Sequence, residues 1–484
     1  MLRRSLGAAV KLGVVAFLGF VLLFADGVWR SSIGFTGSVL REVTTVLLDP
    51  EEQWMVFLCL MAYFATFFCL RSPWGTIFAW IINPNLWLAC VLLISAVIYA
   101  LHYSPSTQAL TLLMGAVLVQ GAAVWTTFNS RKLNVGGGNV FRVLAVSLFV
   151  ILLLYASLWS ADFNKSFEYQ GHARWSGPWD NPNIAGLLMA VGMVLAVGLF
   201  VQILISKIQG LKTEKTASGV WYLAFGRFAS IILCPLAVIL MGHGLLHSYS
   251  RGAWLATFCG VGYLTFQALK CQVLGSSKLA IGNRQSAISY DSCLSWLKSN
   301  WSPFAVVSAS VFMLTFWHFQ QSDWHLARRA LSAVDPVDFS WRNRVAAWEG
   351  ALQITAEHSW FGTGWSQPEP LYEYYYLPPK LTESAAIEMN DYLMLGATLG
   401  IPALFCFGMY LWLSLTQKSG VGINSLELRT LDCSKIVCHA GVIALLVGFW
   451  FDGGLFKLPT AATFWILLEL GTVQSHHKTE KSAQ

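Results

Sequence analysis

Apolar residues fall along this chain in runs of about 18 to 25 without central charges, the length a helix needs to cross a hydrocarbon core of about 30 Å. Such runs lie near residues 8–25, 53–70, 78–101, 107–127, 140–159, 184–205, 222–243, 252–269, 303–317, 391–415, 436–451 and 456–473. In lipid a backbone must satisfy its own hydrogen bonds, so each run is predicted to be helical. The pattern therefore predicts an all-α integral membrane protein of about twelve transmembrane helices, one polytopic domain over residues 1–484.

The polar stretches between the runs set its orientation. With the amino terminus inside, alternate loops collect Arg3 and Arg4, then Arg71, Arg131 with Lys132, Lys207 with Lys212 and Lys215, and Lys270 with Lys278, Arg284 and Lys298. The last inner segments hold Lys418, Arg429 and Lys435, then Lys478 and Lys481 in a cytoplasmic tail over 474–484. Every inner segment is basic, as the positive-inside rule requires, and both termini are cytoplasmic. The first run is read as a retained anchor, because it is long and no small-residue cleavage site follows it.

Three polar segments fall outside: 160–183, the short turn 247–251, and a large extracytoplasmic loop over 318–390. Within the large loop Trp341, Val345, Trp348 and Leu352 recur at i, i+4, i+7 and i+11. The loop is thus partly helical, with an apolar face that can rest on the membrane or on the bundle.

Composition agrees with this picture. Of 484 residues 56% are hydrophobic and 12% charged, where soluble domains carry about a quarter charged residues. The ten cysteines lie in apolar runs or inner segments, such as Cys271, Cys293 and Cys433, so no disulfide framework is implied. The net charge of +6 is spread over short loops instead of one stripe; it is topogenic, and nucleic acid is not an expected partner.

Candidate chemistry gathers at the outer helix ends. In His247-Ser248-Tyr249-Ser250-Arg251-Gly252-Ala253-Trp254, Ser248 or Ser250 can cap the helix that follows, which places Arg251 in its first turn. A cation there opposes the helix dipole, at about 0.3 to 1 kcal/mol, unless an anion is also present. Arg251 can therefore form half of a phosphate site, or it can snorkel to lipid headgroups. Arg174 stands in a matching setting, just before Asn181-Pro182-Asn183, which reads as a capped helix start. Two such arginines can together hold a diphosphate.

The large loop adds Arg342 and Arg344, either of which can instead pair with Glu349, and then Gly362-Thr363-Gly364, a weak phosphate signal. Its aromatic residues, among them Trp360, Phe361, Tyr374, Tyr375 and Tyr376, can stack on sugars or form an interfacial belt. At its end, in Glu388-Met389-Asn390-Asp391, Asn390 or Asp391 can cap the next span, and a carboxylate can take a proton from an acceptor hydroxyl. His243 and His247 share a helix face without a third metal ligand, and Asp452 and Lys457 flank an outer turn where they can pair.

Taken in order, these pieces resemble the bacterial O-antigen ligase and polymerase superfamily. They are Arg174 to Asn183, Ser250 to Trp254, the helix from Arg344 to Trp348 leading to Glu357-His358 and Gly362-x-Gly364, Asn390 to Leu393, and Gly400 to Ala403. The resemblance implies a helical membrane glycosyltransferase that needs no metal or other cofactor. Its implied donor is a glycan on a polyprenyl-diphosphate carrier, and its acceptor a hydroxyl of a glycan, lipid or protein, at the outer face of the bacterial inner membrane.

It further implies that Arg174 and Arg251 hold the diphosphate. The family usually carries a histidine, as base, where this chain has Met389. Either Glu388 or Asp391 replaces it, or the acceptor differs, or activity is lost; Glu388 is favoured because Asp391 has a role as helix cap. The expected catalytic residues are therefore Arg251, Glu388 and Asp391, with Arg174, Ser250, Arg344 and Asn390 as substrate contacts. Partners would be the lipid-linked glycan, its acceptor, membrane lipids and envelope polysaccharide-assembly proteins.

The competing functional class is a transporter or flippase of lipid-linked saccharide, which should place buried charges or broken helices at the bilayer midplane. A scaffold of an envelope-assembly complex is a third class, but it leaves two arginines at outer helix starts without a reason.

Overall fold

The computed structural model describes residues 83–102, 137–159, 168–169, 172–179, 181–210, 220–279, 338–381, 384–416 and 426–472. Its long helices are α1 (Pro84–His102), α2 (Gly137–Trp159), α3 (Pro182–Gly210), α4 (Val220–His247), α5 (Arg251–Leu279), α6 (Phe339–Glu357), α8 (Asp391–Thr416), α9 (Leu426–Phe451) and α10 (Leu458–Thr472). Eight of these coincide with predicted spans, and α6 lies in the large loop. The predicted spans near 8–25, 53–70, 107–127 and 303–317 lie outside the described residues. By length and apolar composition, Pro182–Gln202, Asp391–Thr416 and Cys433–Phe451 can each cross a membrane. Besides helix, the described residues contain a two-residue antiparallel pair, Glu168 with Ala173 and Tyr169 with His172.

Helix α3 lies at the centre, against α2, α4, α5 and α9. Lipid supplies no hydrophobic drive between spans, so close packing must hold them together, and small residues permit it. A Cβ on Gly198 would meet Val437 of α9 at 2.7 Å, and Gly448 of α9 faces Leu187 of α3 just as closely. Helix α8 packs on α1 and α6, while α9 packs on α5 and α10.

The loop residues form a smaller unit on α8. Helix α6 is followed by a turn over 358–367, the short helix α7 (Pro368–Leu371), a π-helical turn (Tyr372–Tyr376) and a 3-10 turn (Ser384–Met389). Its core is Ala347, Ala351, Ile354, Tyr372, Ala386, Ile387 and Ala397. The face of α6 turned to this core is not its apolar face. The buried stripe is Asn343, Arg344, Ala347, Gly350, Ala351 and Ile354, whereas Val345 and Leu352 are exposed. The physical reason is space: a Cβ on Gly350 would meet the Tyr372 ring at 2.5 Å, so only small residues admit the tyrosine segment. Trp348 still reaches the bundle, with ring contacts to Trp450 at 5.9 Å and Phe451 at 6.3 Å.

Candidate active site

Three helix starts and one turn define the site. The carbonyl of Ser250 receives the first amide bond of α5 and its hydroxyl accepts from Ala253 N at 3.2 Å, so Ser250 is the cap. Ser248 instead shapes the preceding turn: its hydroxyl donates to Leu245 O and accepts from Ser250 N. Asn181 caps α3 by accepting from Asn183 N at 2.8 Å, with Pro182 in the first turn as expected. At α8 the cap is Asn390, whose side-chain oxygen accepts from Tyr392 N and Leu393 N, each at 3.1 Å.

Asp391 is therefore not the cap. Its carboxylate accepts from Leu455 N at 2.8 Å, across to the turn that follows α9.

That turn, residues 452–457, gathers most of the expected site. Asp452 is buried and takes two bonds, from Arg344 Nη2 at 2.9 Å and from the Ser250 hydroxyl at 2.5 Å. Gly252 makes room, because a Cβ there would collide with the Asp452 carboxylate. Lys457 lies 3.6 Å from Glu388. Two pairings therefore differ from expectation: Asp452 pairs with Arg344 and not with Lys457, and Arg344 is buried away from Glu349. The cause is that α6 turns its small-residue face inward and carries Arg344 with it. Asp452 was missed as a site residue; its signal was a carboxylate directly after an apolar run and before Gly453-Gly454.

The other arginines meet the same region. Arg174 donates from Nε to Ser248 O at 2.9 Å and from Nη2 to Asn183 Oδ1 at 2.7 Å. Trp175 follows by donating its amide to His247 O, and its ring stacks on His247 at 4.4 Å. The histidine pair is thus part of an aromatic packing with Trp175. Arg251 pairs with Asp338 at 3.3 Å, and Asp338 also caps α6 by accepting from Trp341 N. Arginines from three separate segments therefore converge on Ser248 to Arg251: Arg174 through Ser248 O, Arg251 within the turn, and Arg344 through Asp452 and Ser250. Arg344 Nε, both side-chain polar atoms of Asn343, and Asn390 Nδ2 are buried without a hydrogen-bond partner among the described residues. Such groups favour a polar ligand over an apolar one.

The Gly362-Thr363-Gly364 segment has a structural task. Pro402 lacks an N–H and interrupts α8, with Gly400 at φ 85° and ψ 173°. The freed groups are taken by the loop. Ile401 N donates to Ser359 O at 2.8 Å, Thr363 N to Ala397 O at 2.9 Å, and Gly364 N to Thr398 O at 3.0 Å. Gly362, at φ 63°, must be glycine, because a Cβ would strike the Thr398 carbonyl. The glycines thus fasten the loop to the break in α8, a use incompatible with those two amides cradling phosphate. Nearby, the Tyr376 hydroxyl donates to Glu357 at 2.6 Å, and that carboxylate holds the phenol above its ordinary pKa.

Residues 236–408 match the family model described as O-antigen ligase. The chain carries an O-antigen ligase family domain. Over those residues the chain is similar to a family of membrane enzymes of glycosyltransferase type that act on lipid-linked glycans and serve polysaccharide biosynthesis. No curated protein matched the chain. The matched O-antigen ligase segment contains Ser250, Arg251, Asp338, Arg344, Glu388, Asn390, Asp391 and the break at Gly400, whereas Arg174 and the 452–457 turn lie outside it.

Proposed function

We propose that this O-antigen ligase family protein transfers a glycan from a polyprenyl-diphosphate carrier to a hydroxyl acceptor at the outer face of the bacterial inner membrane, without a metal. In this reading about twelve spans place both termini in the cytoplasm and 318–390 outside. One observation carries the proposal: Arg174, Arg251 and Arg344 converge on the Ser248 to Arg251 turn, where Arg251 pairs with Asp338 and Arg344 with Asp452. An anion such as a diphosphate suits a turn on which three guanidinium groups meet, and the start of α5 adds its positive dipole end.

The acceptor hydroxyl oxygen attacks the anomeric carbon, the bond from that carbon to the diphosphate oxygen breaks, and the arginines hold the departing charge. The hydroxyl proton passes to Glu388. Glu388 is favoured over Asp391 because it is partly exposed beside Lys457, whereas Asp391 is buried with its carboxylate on Leu455 N. With a leaving group already activated, charge stabilisation supplies more of the acceleration than the base. Ser250 and Asn390 contribute as caps that orient the two helix starts. Envelope polysaccharide-assembly proteins are the partners expected to deliver donor and acceptor.

The flippase reading gains one observation, the break in α8. It is weakened by what surrounds the break, since the freed Ala397 and Thr398 carbonyls are consumed by Thr363 and Gly364. Deletion of the gene, followed by gel and mass-spectrometric examination of carrier-linked and surface glycans, tests the proposal. Full-length chains accumulating on the carrier indicate ligation, and single repeats indicate polymerisation. Lipid-linked saccharide confined to the inner leaflet would instead establish the flippase.

A further inference from the structure

The break in α8 fixes the tip of the loop at a definite height. Helix α8 runs from Asp391 to Thr416 and is apolar enough to cross the membrane. Ser359 is bonded to Ile401, ten residues along it. At 1.5 Å per residue, Ile401 lies about 15 Å beyond Asp391 and about 22 Å before Thr416. A hydrocarbon core of about 30 Å cannot exclude it from either direction. If Asp391 stands at the near boundary, Ile401 is about 15 Å deep; if Thr416 stands at the far boundary, it is still about 8 Å deep.

Burial along α8 independently marks the same height. Met394 through Gly400 are all buried. From Ile401 onward an exposed stripe begins, with Ile401 50%, Phe405 58% and Trp412 65% exposed at i, i+4 and i+11. Between them, a Cβ on Gly408 would meet nothing within 4 Å. The loop therefore covers the first part of α8, and its tip ends where the lipid-facing stripe starts. At that tip Trp360 and Phe361 are 75% and 64% exposed.

The backbone on either side of the two aromatic residues is also tied down. Irregular chain at membrane depth is tolerated only where its polar groups are satisfied. The Ser359 carbonyl and the amides of Gly362, Thr363 and Gly364 all have partners, in His358 and α8. A tip in water would not need two large exposed aromatic side chains at the head of an apolar stripe.

We infer that Ser359 to Gly362 form a re-entrant wedge whose Trp360 and Phe361 side chains insert among phospholipid acyl chains, in the leaflet on the Asp391 side. The wedge clamps the carboxyl end of α6 in the membrane, so that helix, with Arg344 at its other end, is held at a fixed height over the bilayer. The inference does not depend on the reaction catalysed.

The test is a nitroxide carried on p-acetylphenylalanine at position 361, which avoids the native cysteines, in the full-length protein in phospholipid vesicles. Power saturation should show collision with oxygen strongly favoured over a water-soluble nickel chelate, as for the same label at position 405. Free access of the nickel chelate would place the tip in water, and exclusion of both reagents would bury it in protein; either result overturns the inference. A second measurement uses p-benzoylphenylalanine at position 360. Photolysis in vesicles free of polyprenyl lipid should add the mass of a phospholipid. An adduct that forms only after polyprenyl phosphate is added would show a groove for the carrier instead, and would overturn the assignment to bulk lipid.

Discussion

Replacing Asp452 isolates the contact that joins the loop to the bundle. The Arg344 and Asp452 side chains are 8% and 0% exposed and lie 2.9 Å apart. Removing one partner of a buried ion pair costs about 3 to 5 kcal/mol, because the other charge is left without compensation. Asp452→Ala also strands the Ser250 hydroxyl proton, adding about 1 kcal/mol. Asp452→Asn keeps the shape and loses the charge, so its cost should fall at the lower end of that range.

The double substitution Arg344→Leu with Asp452→Leu removes both charges and should recover most of the loss, since apolar replacement of a whole buried pair is often neutral. Equilibrium unfolding in mixed micelles, run as a double-mutant cycle, measures this. Additive single effects, or Asp452→Asn as stable as the parent, would refute the pairing as a holding element for the loop.

Other outcomes follow from the same geometry. Arg174→Ala and Arg251→Ala should each remove charge-assisted bonds to a diphosphate worth about 1.5 to 3 kcal/mol, or about 10- to 150-fold in transfer rate, and lysine should rescue poorly. Normal transfer by a well-expressed double variant would favour snorkelling. Glu388→Gln should slow transfer by about 10² to 10⁴ with donor binding unchanged, and Met389→His should be tolerated; parental rates in both Glu388→Gln and Asp391→Asn would remove both carboxylates as bases. Gly400→Ala places a Cβ 2.6 Å from the Trp360 carbonyl at φ 85°. It should destabilise by about 1 to 3 kcal/mol and increase proteolysis within 358–367; unchanged melting and cleavage would deny the fastening of loop to break.

The parts of the fold legible in sequence are those fixed locally. Apolar runs place eight described helices because span length follows from membrane thickness. The starts of α3 and α5 follow from Asn181-Pro182 and Ser250, whose capping bonds reach only two or three residues. What stayed hidden depends on partners far along the chain. Arg344 and Asp452 are 108 residues apart, and no local pattern ties them. The glycines at 362 and 364 are explained only by Pro402, whose missing N–H frees the carbonyls they approach. Which face of α6 packs on the protein was not legible, because packing against Tyr372 demands small residues and the apolar periodicity marks a different face. Asp391 and Asn390 were equivalent as caps on paper; backbone position selected Asn390 and released Asp391 to Leu455 N.

The central claim is transfer from a lipid carrier at the arginine-lined turn. Its most direct test is the purified protein in vesicles with a polyprenyl-diphosphate-linked glycan and a hydroxyl acceptor, with both products measured by mass spectrometry. The account predicts glycosylated acceptor and free polyprenyl diphosphate in equal amounts, both lost with Arg251→Ala. Intact lipid-linked glycan moving between leaflets with no acceptor modified, or product formed equally by the Arg251→Ala protein, would contradict it.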